Sequence, residues 1–127
     1  MSKKGRITPN GVILEKHEYK TVVFLTGLGK NVELIPKSNK KGVHTPDIIM
    51  DGIEWEMKSP KGQGRWLIEN TLRTALTQSP YIIIDLDRIK IHQTKCLQEL
   101  EKQFMKFRAI KKLKVITKTK KVIDFEK

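Results

Sequence analysis

Apolar and charged residues alternate one for one through Ile53-Glu54-Trp55-Glu56-Met57-Lys58, and the run just before it, Ile48-Ile49-Met50, is apolar. A period of two is the signature of a strand. Asp51-Gly52 between the two runs marks a two-residue type I′ hairpin turn, which needs positive φ at both positions. That turn sets a register: Met50 faces Ile53, Ile49 faces Glu54, Ile48 faces Trp55 and Asp47 faces Glu56. Ile48, Met50, Ile53, Trp55 and Met57 then share an apolar face, and Asp47, Ile49, Glu54, Glu56 and Lys58 share the other.

The rest of the chain carries helical and strand patterns in turn. Glu15, Glu18, Val22 and Leu25 form one stripe of a predicted helix over 12–28, with Gly27 and Gly29 marking its end. A strand is expected over 32–36. Ile68, Leu72, Ala75 and Leu76 are the buried stripe of a second helix over 66–78, stopped by Ser79-Pro80, with Glu69 and Arg73 as an i,i+4 pair. The unbroken apolar run 81–85 reads as a strand buried on both faces, parallel to 53–59 through the intervening helix. Leu97, Leu100, Phe104 and Phe107 define a third helix over 94–107, with Thr94 as its N-cap. Short strands over 114–117 and 122–125 flank a basic turn. The expected fold class is α/β, a small mixed β-sheet with flanking helices. Residues 1–10 are expected as a loosely attached basic arm and 11–127 as a single domain.

The hairpin register gives the chain its chemistry. Two carboxylates directly opposed across strands lie roughly 5 Å apart and repel. Asp47 and Glu56 are such a pair, and Lys58 points into the same space. Two acids hold a hard divalent ion, the ion activates water, and a lysine offsets developing negative charge, which together suit hydrolysis of a phosphodiester. Glu-x-Glu-x-Lys alone is common on solvated strands; Pro46-Asp47 placed opposite is what raises it above that background.

Charge points the same way. With 26 Lys plus Arg against 14 Asp plus Glu, the net charge of +12 favours a polyanionic partner, nucleic acid above all. The single cysteine, Cys96, excludes a disulfide framework and a zinc–cysteine cluster, and reads as a small buried apolar residue. Met1 to Asn10 is polar and basic without an apolar core, so no secretory signal is expected there, and no apolar run is long enough for a membrane span; no membrane partner is expected and the expected site of action is cytoplasmic. Secretion or delivery would depend on fusion to, or carriage by, another protein.

Pro46-Asp47, eight residues, then Glu56-Met57-Lys58 resembles the PD-(D/E)xK nuclease motif. Asn31-Val32-Glu33-Leu34-Ile35-Pro36, Thr45-Pro46-Asp47-Ile48, Trp55 to Gly62 and Gln78-Ser79-Pro80-Tyr81 to Asp85 are similar to the tRNase-type C-terminal toxin domain of contact-dependent inhibition proteins, the CdiA family. The resemblance runs from about Glu15 to the C-terminus. It implies a restriction-endonuclease-like core and a metal-dependent nuclease toxin acting on tRNA. It also implies that Asp47, Glu56 and the Met57 carbonyl hold Mg²⁺, or another divalent ion such as Mn²⁺ or Zn²⁺, and that a cognate immunity protein blocks the domain. Lys58 would position the attacking water or stabilise the pentavalent phosphate. Related domains cut DNA, so a DNA endonuclease of a mobile element or repair system is the competing enzyme reading. A nucleic-acid-binding module that does not cut is the reading outside that class, and it leaves the two acids without a purpose.

The remaining candidates are read two ways each. Glu18 is an additional acid reaching the site or a rim glutamate paired with lysine. Lys61 and Arg65, in the Gly-containing loop after Lys58, are phosphate contacts or plain surface. Gln78, at a helix end, is a substrate contact or solvated surface; Asn70, Arg73 and Thr77, the other polar residues of that helix nearest the expected site, read mostly as solvated surface. The basic loop 37–42, just ahead of Asp47, grips phosphate or is an ordinary surface turn, and His44 orients substrate or is a plain loop histidine. Asp85 and Asp87 are metal ligands or partners of Arg88, and the salt bridge is the expected reading. Between Lys102 and Val122 nine Lys or Arg occur without one acid. They read as a backbone-gripping surface ending in the turn with Lys118, Lys120 and Lys121.

Overall fold

The computed structural model describes residues 3–127. A seven-stranded mixed sheet runs in chain order, β1 (Ile7–Thr8), β2 (Val32–Leu34), β3 (Ile48–Met50), β4 (Ile53–Lys58), β5 (Tyr81–Asp85), β6 (Lys112–Ile116) and β7 (Val122–Glu126). The β1–β2, β4–β5 and β5–β6 pairs are parallel and the other three antiparallel. Helices α1 (Lys16–Gly27), α2 (Leu67–Leu76) and α3 (Gln93–Lys106) make the parallel connections, as chains that must return to the same end of a sheet require.

The hairpin forms as its turn demands: φ is 55° at Asp51 and 74° at Gly52, and Ile48 pairs with Trp55, Ile49 with Glu54 and Met50 with Ile53. Its alternation then divides the core. Val22 and Leu25 of α1 pack with Ile48, Met50, Trp55 and Met57 on one face. Ile68, Leu72 and Ala75 of α2 and Leu100 and Phe104 of α3 pack on the other with Ile82, Ile84 and Leu113. Ile83 faces the first cluster, so β5 is apolar on both sides as its unbroken run predicts. Cys96 is fully buried, and burial pushes its thiol up to about 11.

Three expectations change. The first concerns the arm. Ile7–Thr8 is a strand, parallel to Val32–Glu33, and Val32 N–H donates to the Arg6 carbonyl at 2.8 Å. Gly5 N–H donates to the Thr26 carbonyl at 2.7 Å, and a Cβ on Gly5 would lie 1.7 Å from the Lys30 oxygen. Only glycine lets the segment lie that close. Residues 3–10 thus close one sheet edge; Met1 and Ser2 lie outside the described residues.

The second concerns helix starts. The first helix begins at Lys16 rather than residue 12, because Glu15 and Glu18 form a reciprocal capping box, with Glu15 N–H donating to Glu18 Oε1 at 3.0 Å. The third helix begins at Gln93, with His92 rather than Thr94 at its N-cap.

The third concerns the basic run. Lys106 pairs with Glu69, Lys112 with Glu126, Lys114 with Asp124 and Lys120 with Asp87, so the fold supplies from elsewhere the acids that the local sequence lacks.

Candidate active site

The continuous β3–β4 ladder stops at Ile48 and Trp55. Asp47 is not the next flat rung opposite Glu56: its N–H donates to the Trp55 carbonyl at 2.9 Å, and its carbonyl accepts from Ile35 N–H at 2.9 Å. Beyond the end of β3 the Met57 N–H would lack a partner on that edge, and Asp47 Oδ2 accepts it at 2.8 Å. The N–H and C=O of one strand residue share an edge, so the Met57 carbonyl lies on the Asp47 side too, while its side chain is in the core on α1's face. Asp47 Oδ1 accepts from Lys37 Nζ at 2.8 Å, and Lys37 also donates to the Thr45 carbonyl.

Glu56 is 4% exposed. Its Oε2 lies 3.4 Å from Lys58 Nζ, and its Oε1 is buried with no hydrogen-bond partner among the described residues. Its carboxyl is pushed up to about 7, by burial first, then by the Asp47 charge and a hydrogen bond shared with Asp47; Lys58 and Lys37 pull it back. The two acids therefore meet through Asp47's side chain although the backbone register between them is broken.

Around this pair lies an open cleft of about 580 Å³. The start of α1 contributes His17, Glu18 and Thr21, and α2 contributes Leu67, Asn70, Thr71 and Thr74. Lys37, Ser59, Pro60 and Arg88 complete the rim with Asp47, Glu56, Met57 and Lys58. Two buttresses hold it. Arg88 Nε donates to the Ser59 carbonyl at 3.1 Å and to its Oγ at 3.2 Å, fastening the residue after Lys58. Thr21 Oγ1 donates to the buried Asp85 Oδ2 at 2.6 Å, tying α1 to the end of β5, while Asp85 Oδ1 accepts from Asp87 N–H. The expected pairing of Asp85 and Asp87 with Arg88 does not form, because Asp85 caps the 3-10 turn that follows β5 and Asp87 takes Lys120.

Of the residues proposed from sequence, the fold brings Asp47, Glu56, Met57 and Lys58 together. Glu18 lines the same cleft, but its carboxylate caps α1, and no three His, Cys, Asp or Glu side chains converge as a metal-ligating group among the described residues. Lys61 is not among the cleft-lining residues. Arg65 lies over the Trp66 ring at 4.8 Å in a separate groove. Gln78 faces a third depression with Glu54, Ser79 and Tyr81, because α2 ends at Leu76, two residues before it, and the chain turns it away. Lys118, Lys120 and Lys121 sit at the β6–β7 turn, and Lys120 reaches Asp87, the neighbour of Arg88. His44 is exposed and outside the cleft. His17 and Thr21 carried no local signal, Lys37 stood out only as the start of a basic loop and Arg88 only as a partner for Asp85 and Asp87; the fold brings all four to the cleft.

The class the fold defines is a mixed α/β domain, a seven-stranded sheet with three helices. The contact-dependent growth inhibition CdiA C-terminal domain family matches residues 44–122, and the chain belongs to that family, a toxin domain of contact-dependent growth inhibition. A solved structure from Burkholderia pseudomallei, a CdiA-CT/CdiI toxin and immunity complex, shares the fold at a TM-score of 0.64 and 17% identity, over 100% of this chain and 98% of that one. No curated protein matches. Among the described residues no helix is long and apolar enough to cross a membrane.

Proposed function

We propose that this toxin domain is a metal-dependent nuclease with a PD-(D/E)xK-type centre on a restriction-endonuclease-like core, and that its preferred substrate is tRNA. One observation carries the reading: a buried glutamate, raised to about 7 and with one oxygen unpartnered, stands beside a second acid and a lysine in an open cleft. A fold keeps such a pair where a cation satisfies it. Two carboxylates and a main-chain carbonyl fit Mg²⁺ or Mn²⁺, which retain waters and draw further ligands from substrate phosphates. They fit Zn²⁺ less well, since its sites take at least three side-chain ligands and no such trio converges among the described residues. Asp47, Glu56 and the Met57 carbonyl would hold the ion, which when bound polarises the phosphate and lowers the pKa of water.

The protein's own residues divide the remaining work. Asp47 orients the Met57 main chain through its N–H. Lys58, fixed beside Glu56 and followed by the Arg88-anchored Ser59, offsets charge that develops on the phosphate. Lys37, in contact with Asp47 before substrate arrives, is free to turn to a phosphate oxygen when a cation takes its place. The fold shared with a toxin and immunity complex supports a cognate immunity protein as the natural inhibitor, and the family supports delivery by a larger CdiA-type carrier.

The test is incubation of the purified domain with total tRNA and with plasmid DNA, each with Mg²⁺ or chelator. Expected are cleavage of tRNA in preference to plasmid, loss with chelator, and loss in Glu56→Gln. Faster cleavage of plasmid would move the substrate to DNA, and undiminished cleavage by Glu56→Gln would remove the site.

A further inference from the structure

On the opposite flank of α2 from the acid cleft lies a second groove of about 630 Å³, walled by the loop 63–66 and by α3. Trp66 stands in it 57% exposed, whereas the other tryptophan, Trp55, is 4% exposed in the core. The Arg65 guanidinium covers part of the Trp66 ring at 4.8 Å. Lys95, Lys102 and Lys106 rise from α3 along the wall. The acids there are already engaged: Glu69 takes Arg73 and Lys106, and Glu99 accepts from Gln103 Nε2 at 2.6 Å. That bond orients the Gln103 amide and leaves its buried Oε1 without a donor among the described residues. Trp66 and Leu67 are neighbours in sequence, one in this groove and one in the acid cleft, so a single extended ligand passing the start of α2 reaches both.

We propose that this groove is a nucleobase-stacking subsite, in which Trp66 takes the face of an unpaired base flanking the cut and Lys95 and Lys102 take the adjacent phosphates. The inference rests on the nuclease reading of the acid cleft and extends it to substrate outside the scissile bond. A solvent-facing aromatic ring backed by a guanidinium and bordered by ammonium groups is how single-stranded nucleic acid is gripped: every base offers a π-face, and every phosphate a charge. Charged side chains make up half of the lining, with Ile68 and Ile91 its aliphatic members, so an apolar protein segment would meet charge along much of the groove.

The groove reports on itself, because Trp66 is fluorescent. Titrating the Glu56→Gln protein with a short oligoadenylate is expected to quench Trp66 emission to saturation. Trp66→Ala, with an unchanged melting curve, is expected to weaken binding by roughly 5-fold or more, and Trp66→Phe to retain most of it. Replacing Lys95 and Lys102 together by alanine is expected to flatten the log–log salt dependence by roughly 1.4, about 0.7 per lost single-strand contact. Binding without quenching, with Trp66→Ala unaffected, overturns the subsite and leaves the groove to a protein partner, while chelator-sensitive cleavage still stands or falls on its own assay. Quenching without any cleavage by the unmutated domain would instead keep the subsite and remove the nuclease reading.

Discussion

Glu56 is the residue at which the fold opposes itself. A carboxyl raised from 4.5 to about 7 holds in the folded protein a proton that the unfolded chain has released. Between about 4.5 and about 7 folding therefore takes up a proton, and this group's contribution to stability falls as pH rises through that window, by up to about 3 kcal/mol. Glu56→Gln keeps the shape and never ionises. In the presence of chelator the variant is expected to melt above the parent beyond pH 7, with the advantage shrinking to nothing as pH falls toward 4.5. Equal melting temperatures at both ends of the window would show that Glu56 is not strained. Asp47 differs: Met57 N–H and Lys37 already satisfy it, so Asp47→Asn forfeits a charged acceptor and relieves less. Mg²⁺ is expected to raise the parent's melting temperature and to raise that of either variant less, by the linkage of binding to folding.

Among the elements, α1 and the turn after β5 act as props for the cleft. The Thr21 hydroxyl is the side-chain donor to the buried Asp85 Oδ2. Thr21→Val removes it with little change of shape and leaves a buried acceptor unsatisfied, which is expected to cost about 1–3 kcal/mol, read as a lower denaturant midpoint. A loss below about 0.5 kcal/mol would mean that water replaces the hydroxyl without penalty. Arg88 holds the main chain one residue past Lys58, so Arg88→Ala is expected to reduce kcat on nucleic acid more than it raises KM, because it loosens Lys58 rather than removing a substrate contact. A rise in KM alone would make Arg88 a binding residue.

For the molecule as a whole, charge governs encounter. A net +12 predicts binding to nucleic acid that weakens steeply with salt. The structure trims the part assigned to the β6–β7 turn, since Lys120 is shared with Asp87 while Lys118 and Lys121 have no acid partner among the described residues. Replacing Lys118, Lys120 and Lys121 together by alanine is expected to lower the log–log slope by roughly 1.4 to 1.8, the value for two phosphate contacts rather than three. An unchanged slope would show that the turn points away from the substrate.

Period and turn chemistry in the sequence determined the hairpin, its register through Ile48 and Trp55, the doubly buried β5 and the apolar stripes of the three helices, because each of these depends on neighbours a few residues apart. They also brought Asp47, Glu56 and Lys58 to one place, since a two-residue turn leaves the strands flanking it little freedom. Local pattern stopped short wherever a partner comes from far along the chain. Residues 3–10 read as a loosely attached arm because the β2 edge and the Thr26 carbonyl that hold them lie more than twenty residues away. The basic run looked uncompensated because Glu69, Asp87, Asp124 and Glu126 reach it only across helix and strand packing. Tertiary structure alone turned Asp47 from a ladder rung into a side-chain acceptor for Met57, set Lys37 and Arg88 at the cleft, and sent Arg65 and Gln78 to other surfaces. Contacts between distant segments are settled by which faces the packed core leaves open, and no window of neighbouring residues contains that information.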